Sequence, residues 1–283
     1  MLTQDQKNRI AEVIKKILIS RHESFPEPTA EIRNAPFHDL ILRAFEERLK
    51  PYNVTAAQLI AISSWFHGLS TSLGSSYESI AHILSGGYKR SFTSSFTPKV
   101  TVMQEAVIGS IISNLKKDGK PNLIEEDKQI LSKECLSDTR VTESLGFSTD
   151  VFIERENEII AIEMKSVRPN SGEGRGEKQK ILFGKAAIKG MYPKKNVRFL
   201  VGFPFDPTAE SATDYNKERF VKYLIEFGKF FDSQEILLGP ELWDFLSGQP
   251  KTMESVLSLV EETIKQFDPN KPRRNKSSPV AEI

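Results

Sequence analysis

The first hundred residues repeat their apolar positions with helical spacing. Thr3 and Gln6 form a capping-box pattern, and Ile10, Val13, Ile14, Ile17 and Leu18 then line one face, which predicts a helix over 4–20. A second helix is predicted over 37–49, stopping before Pro51. Thr55 stands as an N-cap ahead of "AAQLIAISSWFHGLSTSLG", and "SSYESIAHILSGG" reads as a short helix ended by Gly86-Gly87. "MQEAVIGSIISNLKKDGK" predicts one more, closing near Gly119.

The pattern then changes period. Residues 149–154 and 159–167 read as two strands joined by the polar turn "RENE", a hairpin. A Gly-rich basic loop, "VRPNSGEGRGEKQ", leads into the helix "EKQKILFGKAAIKGMYP". "VRFLVGF" predicts a buried strand, "NKERFVKYLIEFGKFF" a helix, "EILLG" a strand, "PELWDFLSG" and "MESVLSLVEETIKQF" two closing helices. This order implies an α/β fold: a mixed central sheet flanked by helices, with a helix-rich N-terminal region. The expected organisation is a helical region over 1–100 packed on a core over 101–268, and a polar, mobile tail over 269–283.

One strand carries an apparent conflict. In "IIAIEMKSV", Ile160, Ile162, Met164 and Ser166 share one face, and Ile159, Ala161, Glu163, Lys165 and Val167 share the other. A glutamate and a lysine thus point the same way from an otherwise apolar strand, where an unpaired charge would be costly. Asp150 on the preceding strand is the natural cross-strand neighbour of Glu163. Two converging carboxylates repel each other, and Mg²⁺, which takes carboxylate oxygens, removes that repulsion. A lysine beside them can orient a water and offset phosphate charge, so the set suits metal-assisted phosphodiester hydrolysis. The competing account is a salt bridge on a half-exposed strand.

Composition narrows the class. The chain has 283 residues, 39% hydrophobic and 27% charged, enough for a large core. A single cysteine, Cys135, excludes an internal disulfide and fits a reducing cytoplasm. No secretory leader pattern and no long apolar run is seen, so no membrane association is expected. Net charge is +1, but Lys165–Arg198 holds ten basic residues against two acids, while Phe205–Asp268 holds six against thirteen. A basic block beside the charged strand points to a polyanion.

The motif resembles that of the PD-(D/E)xK nuclease superfamily. "TD" (Thr149, Asp150) stands in the place of "PD", with Thr149 departing from the proline, and "EMK" (Glu163, Met164, Lys165) is the E-x-K. "LGSSYESIAHIL" is similar to a helix that type II restriction endonucleases carry ahead of the catalytic hairpin. "PNSGEGRGEKQKIL", "VRFLVGFPFDP" and "ILLGPELWDFLSG" resemble segments of the TdeIII-like restriction endonucleases, over roughly residues 70–250. The resemblance implies that Asp150 and Glu163 are metal ligands, with the Met164 backbone carbonyl completing the shell. It implies that Lys165 positions or activates the attacking water, and that Glu78 is a fourth acidic residue, with Glu105 and Glu143 as rivals. It also implies a GGNCC target.

Arg175, Lys178, Gln179 and Lys180, with Gly172, Gly174 and Gly176 beside them, form the expected DNA contact after the catalytic strand. "GEGRGE" lacks the context of a nucleotide-binding loop. The four histidines have no ligand spacing. A palindromic duplex read by a two-fold symmetric homodimer is the expected partner arrangement, and a restriction role implies a cognate DNA methyltransferase acting separately. A repair or recombination nuclease of the same fold and a non-catalytic DNA-binding protein remain the alternatives.

Overall fold

Seven short strands and twelve α-helices make up the described part of the computed structural model, residues 1–27, 35–92, 98–117, 119–165, 173–224 and 226–269. Most of the expected tail, the expected end of the second hairpin strand at 166–167 and the first part of the expected Gly-rich loop, to Gly172, lie outside the described residues. Helix α1 spans Gln4–Glu23, with the Thr3–Gln6 capping box in place at 3.2 and 3.0 Å. The second expected helix is interrupted at Ala44-Phe45, giving α2 (Pro36–Arg43) and α3 (Glu46–Leu49). The next two expected helices are one, α4 (Ala56–Ser85). Its Ser70, Thr71, Ser72 and Ser79 hydroxyls donate to carbonyls four residues back, so this polar stretch stays within the helix.

Beyond α4 come β1 (Tyr88–Phe92), β2 (Lys99–Thr101), α5 (Val102–Lys116), α6 (Leu123–Ile130), α7 (Lys133–Ser137) and β3 (Val141–Glu143). Of these only α5 was expected. The predicted hairpin is β4 (Phe147–Glu154) and β5 (Glu158–Met164), closed by the Arg155 N–H on the Glu158 carbonyl at 2.8 Å. The chain continues as α8 (Glu173–Met191), β6 (Asn196–Phe203), α9 (Lys217–Tyr223), α10 (Phe227–Phe230), β7 (Ile236–Leu238), α11 (Pro240–Ser247) and α12 (Thr252–Lys265). The single helix expected over 216–231 is thus two. A Cβ on Gly228 would lie 2.3 Å from the Val221 side chain, a closeness that residues seven apart in one continuous helix never reach.

The main sheet runs β1-β4-β5-β6-β7. β1, β4 and β5 pair antiparallel, and β5, β6 and β7 pair parallel, which is the mixed α/β architecture expected. β2 and β3 form a separate antiparallel pair. Ile159, Ile160, Ala161 and Ile162 are wholly buried, because β5 is an interior strand covered on both faces. Phe152, Ala161, Phe199 and Val201 share one core with Ile108 of α5 and Ile181, Leu182 and Ala186 of α8. Gly184 lets α8 lie close on the sheet, since a Cβ there would sit 2.6 Å from the Phe199 ring.

The described chain divides into two units. One comprises Met1–Ile10 and Gly74–Leu257, and holds the whole sheet. The other comprises Ala11–Leu73 and the segment from Ser258; within it the Trp65 indole donates to the Arg21 carbonyl at 2.9 Å and packs edge-on against Phe25. Among the described residues no helix is long and apolar enough to cross a membrane.

Helix α8 is fixed by buried charge as well as by apolar packing. Lys178 is fully buried, 2.5 Å from Glu126 of α6 and 2.7 Å from both carboxylate oxygens of Glu235. Lys185, seven residues on and 1% exposed, meets Asp127 at 2.5 Å. Removing one partner from such a set leaves an uncompensated buried charge. Lys178→Met should therefore destabilise the protein by about 3–5 kcal/mol, and adding Glu126→Gln and Glu235→Gln should recover most of it. Urea unfolding of the single and triple variants checks this; a loss under about 1 kcal/mol would show the network to be solvated.

Candidate active site

Asp150 and Glu163 stand opposite each other at the end of the β4–β5 hairpin. The pairing of Val151 with Ile162 and Phe152 with Ala161 carries on to set Asp150 across from Glu163, so both side chains leave the same face. Both are buried, at 9% and 7% exposure. The Met164 N–H donates to Asp150 Oδ2 at 2.9 Å, tying the carboxylate to the end of the neighbouring strand. His82 Nε2 lies 2.6 Å from the Asp150 carbonyl oxygen and fixes the same residue from α4.

On the other edge of β4 the register slips. Tyr88 pairs with Phe152 but Arg90 with Thr149, so Asp150 and Val151 together oppose the single residue Lys89. Such an irregularity re-aims a side chain. Here it accompanies an ammonium group 3.3 Å from Asp150 Oδ1 and 3.0 Å from Glu78 of α4. Glu78 therefore reaches the site, linked through Lys89. Its two rivals, Glu105 and Glu143, are exposed, and no contact with Asp150 or Glu163 is seen for them among the described residues.

Lys165 follows β5 and lies 3.1 Å from Glu163 Oε1. Helix α8 contributes two more charges. Lys180 is 2.7 Å from the same Glu163 oxygen, and Glu177 is 2.8 Å from Lys165 and 3.1 Å from Lys180. Burial and the charge of Asp150 push the Glu163 carboxyl above its ordinary range, against the pull of Lys180 and Lys165. Burial alone would lower Lys165, but Glu177 and Glu163 outweigh it and hold the ammonium form. Burial would raise Glu177, but the two lysines outweigh it and keep its carboxyl low.

The donor set fits a hard divalent cation. Glu163 Oε2 is buried and has no hydrogen-bond partner. A buried carboxylate oxygen without a partner is costly unless something positive meets it. Among the described residues no three His, Cys, Asp or Glu side chains form a ready cage. Mg²⁺ does not require one, since it commonly keeps several waters and takes one or two carboxylates.

The residues expected to contact DNA separate. Arg175 is exposed and Gln179 is partly buried. Lys180 points to Glu163. Lys178 is corrected: completely enclosed and bound to Glu126 and Glu235, it has no surface with which to meet a phosphate. Gly174, Arg175 and Gly176 belong to α8, not to a loop. Gly174 packs closely there, since a Cβ would be 3.4 Å from the Phe230 ring. Sequence reasoning missed Lys89, the Asp150 contact of His82 and the part played by Glu177. Only Glu177 had a local signal, being an acid three residues before a lysine in a basic helix.

Comparison with known proteins gives the family. The family model of the type II restriction endonuclease HinfI matches residues 2–264. The chain is 43% identical over 255 residues to the type II restriction enzyme MjaII of Methanocaldococcus jannaschii, covering 88% of this chain and 68% of that protein. It is 21% identical over 236 residues to the type II restriction enzyme HgiCII of Herpetosiphon aurantiacus, covering 80% and 83%. The type II restriction endonuclease resemblance read from the motifs is thereby borne out, and the chain belongs to the HinfI family of type II restriction endonucleases.

Proposed function

We propose that this type II site-specific deoxyribonuclease hydrolyses duplex DNA with Mg²⁺ held by Asp150, Glu163 and the Met164 backbone carbonyl. The observation that carries the reading is the cross-strand pair itself: two buried carboxylates on one face, with Glu163 Oε2 unpartnered. When bound, Mg²⁺ supplies a Lewis acid and lowers the pKa of a coordinated water.

The protein groups around it have distinct tasks. Lys165, kept protonated by Glu177 and Glu163, is a hydrogen-bond donor that orients the attacking water and offsets charge on the phosphate. The Met164 N–H and His82 hold Asp150 in place, so the carboxylate needs no reorganisation when substrate arrives. Glu78 acts at one remove, through Lys89. Arg175 and Gln179, on α8, are the remaining candidates for DNA contact. The proposed substrate is a short palindrome read by a homodimer, and the TdeIII-like resemblance makes GGNCC the first target to test. A separate DNA methyltransferase would protect the host genome.

Asp150→Ala, Glu163→Ala and Lys165→Ala should each lower plasmid cleavage by at least about a thousandfold, since each removes a group acting on the reacting phosphate or water. Folding and DNA binding in Ca²⁺ should survive, and full cleavage by any of the three would sink the assignment. Digestion of a long mixed-sequence DNA in Mg²⁺ should give discrete fragments whose ends map to one short palindrome. A smear or branch-dependent cutting would favour a repair nuclease; binding without metal-dependent cutting would favour a non-catalytic protein.

A further inference from the structure

Four side chains close a ring at the end of β5. Glu163 Oε1 receives both Lys165 and Lys180, at 3.1 and 2.7 Å, and Glu177 meets the same two lysines at 2.8 and 3.1 Å. Lys180 thus stands between two acids, with its shorter contact on the strand residue. Glu177 and Lys180 are three apart on α8, so they share a face and remain neighbours whatever happens on β5. Lys180 lies outside the E-x-K motif, and nothing in the hydrolysis described above requires it.

Its position has a consequence for cation binding. Oε2 of Glu163 is buried without a hydrogen-bond partner, while Oε1 already bears an ammonium at 2.7 Å. A divalent ion arriving at Oε2 meets that positive charge within one carboxylate width, in a place with little water to screen it. Across Glu78, Asp150, Glu163 and Glu177 there are four carboxylates, and three ammonium groups, Lys89, Lys165 and Lys180, touch them. All three lysines lie directly on the two proposed metal ligands, Lys89 on Asp150 and Lys165 and Lys180 on Glu163. Of the three, Lys180 has an alternative seat, Glu177, that is not a metal ligand and sits in its own helix.

We propose that Lys180 is a built-in counter-ion to Glu163 that holds down the affinity of the site for a divalent cation, and that Glu177 is the seat to which it retreats when the cation binds. The proposal rests on the reading of Asp150 and Glu163 as metal ligands. It assigns Lys180 and Glu177 as positioning residues, acting through Glu163. Their effects on metal affinity have opposite signs. Without Lys180 the cation meets less opposition at Glu163. Without the Glu177 charge both lysines have Glu163 as their remaining partner in the ring, and the cation competes with both.

The test is Mn²⁺ titration of the full chain without DNA, reading free Mn²⁺ by electron paramagnetic resonance. Lys180→Met should bind Mn²⁺ about tenfold more tightly than the unchanged protein, the scale of one charge-assisted contact. Glu177→Gln should bind it several-fold more weakly. Arg175→Gln, which removes an exposed charge from the same helix, should change affinity by less than about twofold. Equal or weaker Mn²⁺ binding by Lys180→Met, including no binding by either protein, overturns the proposal. So does equal tightening by Arg175→Gln, which would make the effect one of overall charge. Should Lys180→Met fail to fold, Glu177→Gln decides, and unchanged or tighter binding overturns. Glu163→Gln separates the two levels: undiminished Mn²⁺ binding in that variant places the metal elsewhere and removes the reading of the site. Loss of binding there, with Lys180→Met unchanged, removes only the counter-ion.

Discussion

Two carboxylates held side by side where water is scarce is the constraint around which this site is built. β5 is buried on both faces through Ile159–Ile162, and it delivers Glu163 at its end opposite Asp150. Taking a charge out of water costs several kcal/mol, so neither acid can be there alone. The surrounding structure answers that cost with positive charge from three directions: Lys89 from the edge strand, Lys165 from the residue after β5 and Lys180 from α8. Any cation that reaches these two acids has to compete with ammonium groups already seated on them.

Helix α8 shows how the fold meets this demand. Successive residues in a helix turn through about 100°, so adjacent charges face different ways. Glu177 and Lys180 look toward β5, Lys178 and Lys185 look toward α6, and Ile181, Leu182 and Ala186 lie in the core shared with the sheet. The buried lysines fix the rotation of the helix about its axis. That rotation decides whether Glu177 and Lys180 meet Glu163 and Lys165 or miss them. The close approach at Gly184 sets the depth of the same helix. Ion pairs that add little to stability in a surface setting here determine where the charges of the candidate site stand.

Much of the architecture was legible because its signals are local. Short apolar runs mark β4, β5 and β6, and the hairpin turn follows from the polar tetrapeptide between two strands. The cross-strand placement of Asp150 and Glu163 followed from that register alone. The failures share a cause. β1 reads "YKRSF", with little alternation to betray a strand, yet it pairs with β4 and brings Lys89. Lys178 and Lys180 look alike in the sequence, two lysines in one basic helix. One is enclosed and the other borders the site.

The sequence by itself determined the β4–β5 hairpin and the α/β order that follows it, and that one interior strand would present a glutamate and a lysine beside an aspartate. Period and spacing suffice for that, because they depend on neighbours within a few residues. Only the tertiary structure decided which other charges join them. Whether a lysine on a helix faces a phosphate, a metal ligand or a buried acid depends on what packs against that helix. The partners of Lys178, Lys180 and Lys89 come from Glu126 and Glu235, from Glu163, and from Glu78 and Asp150, mostly tens of residues away in the chain. No local pattern encodes such distances, and the electrostatic cost of leaving any of these groups unpaired is what selects the arrangement.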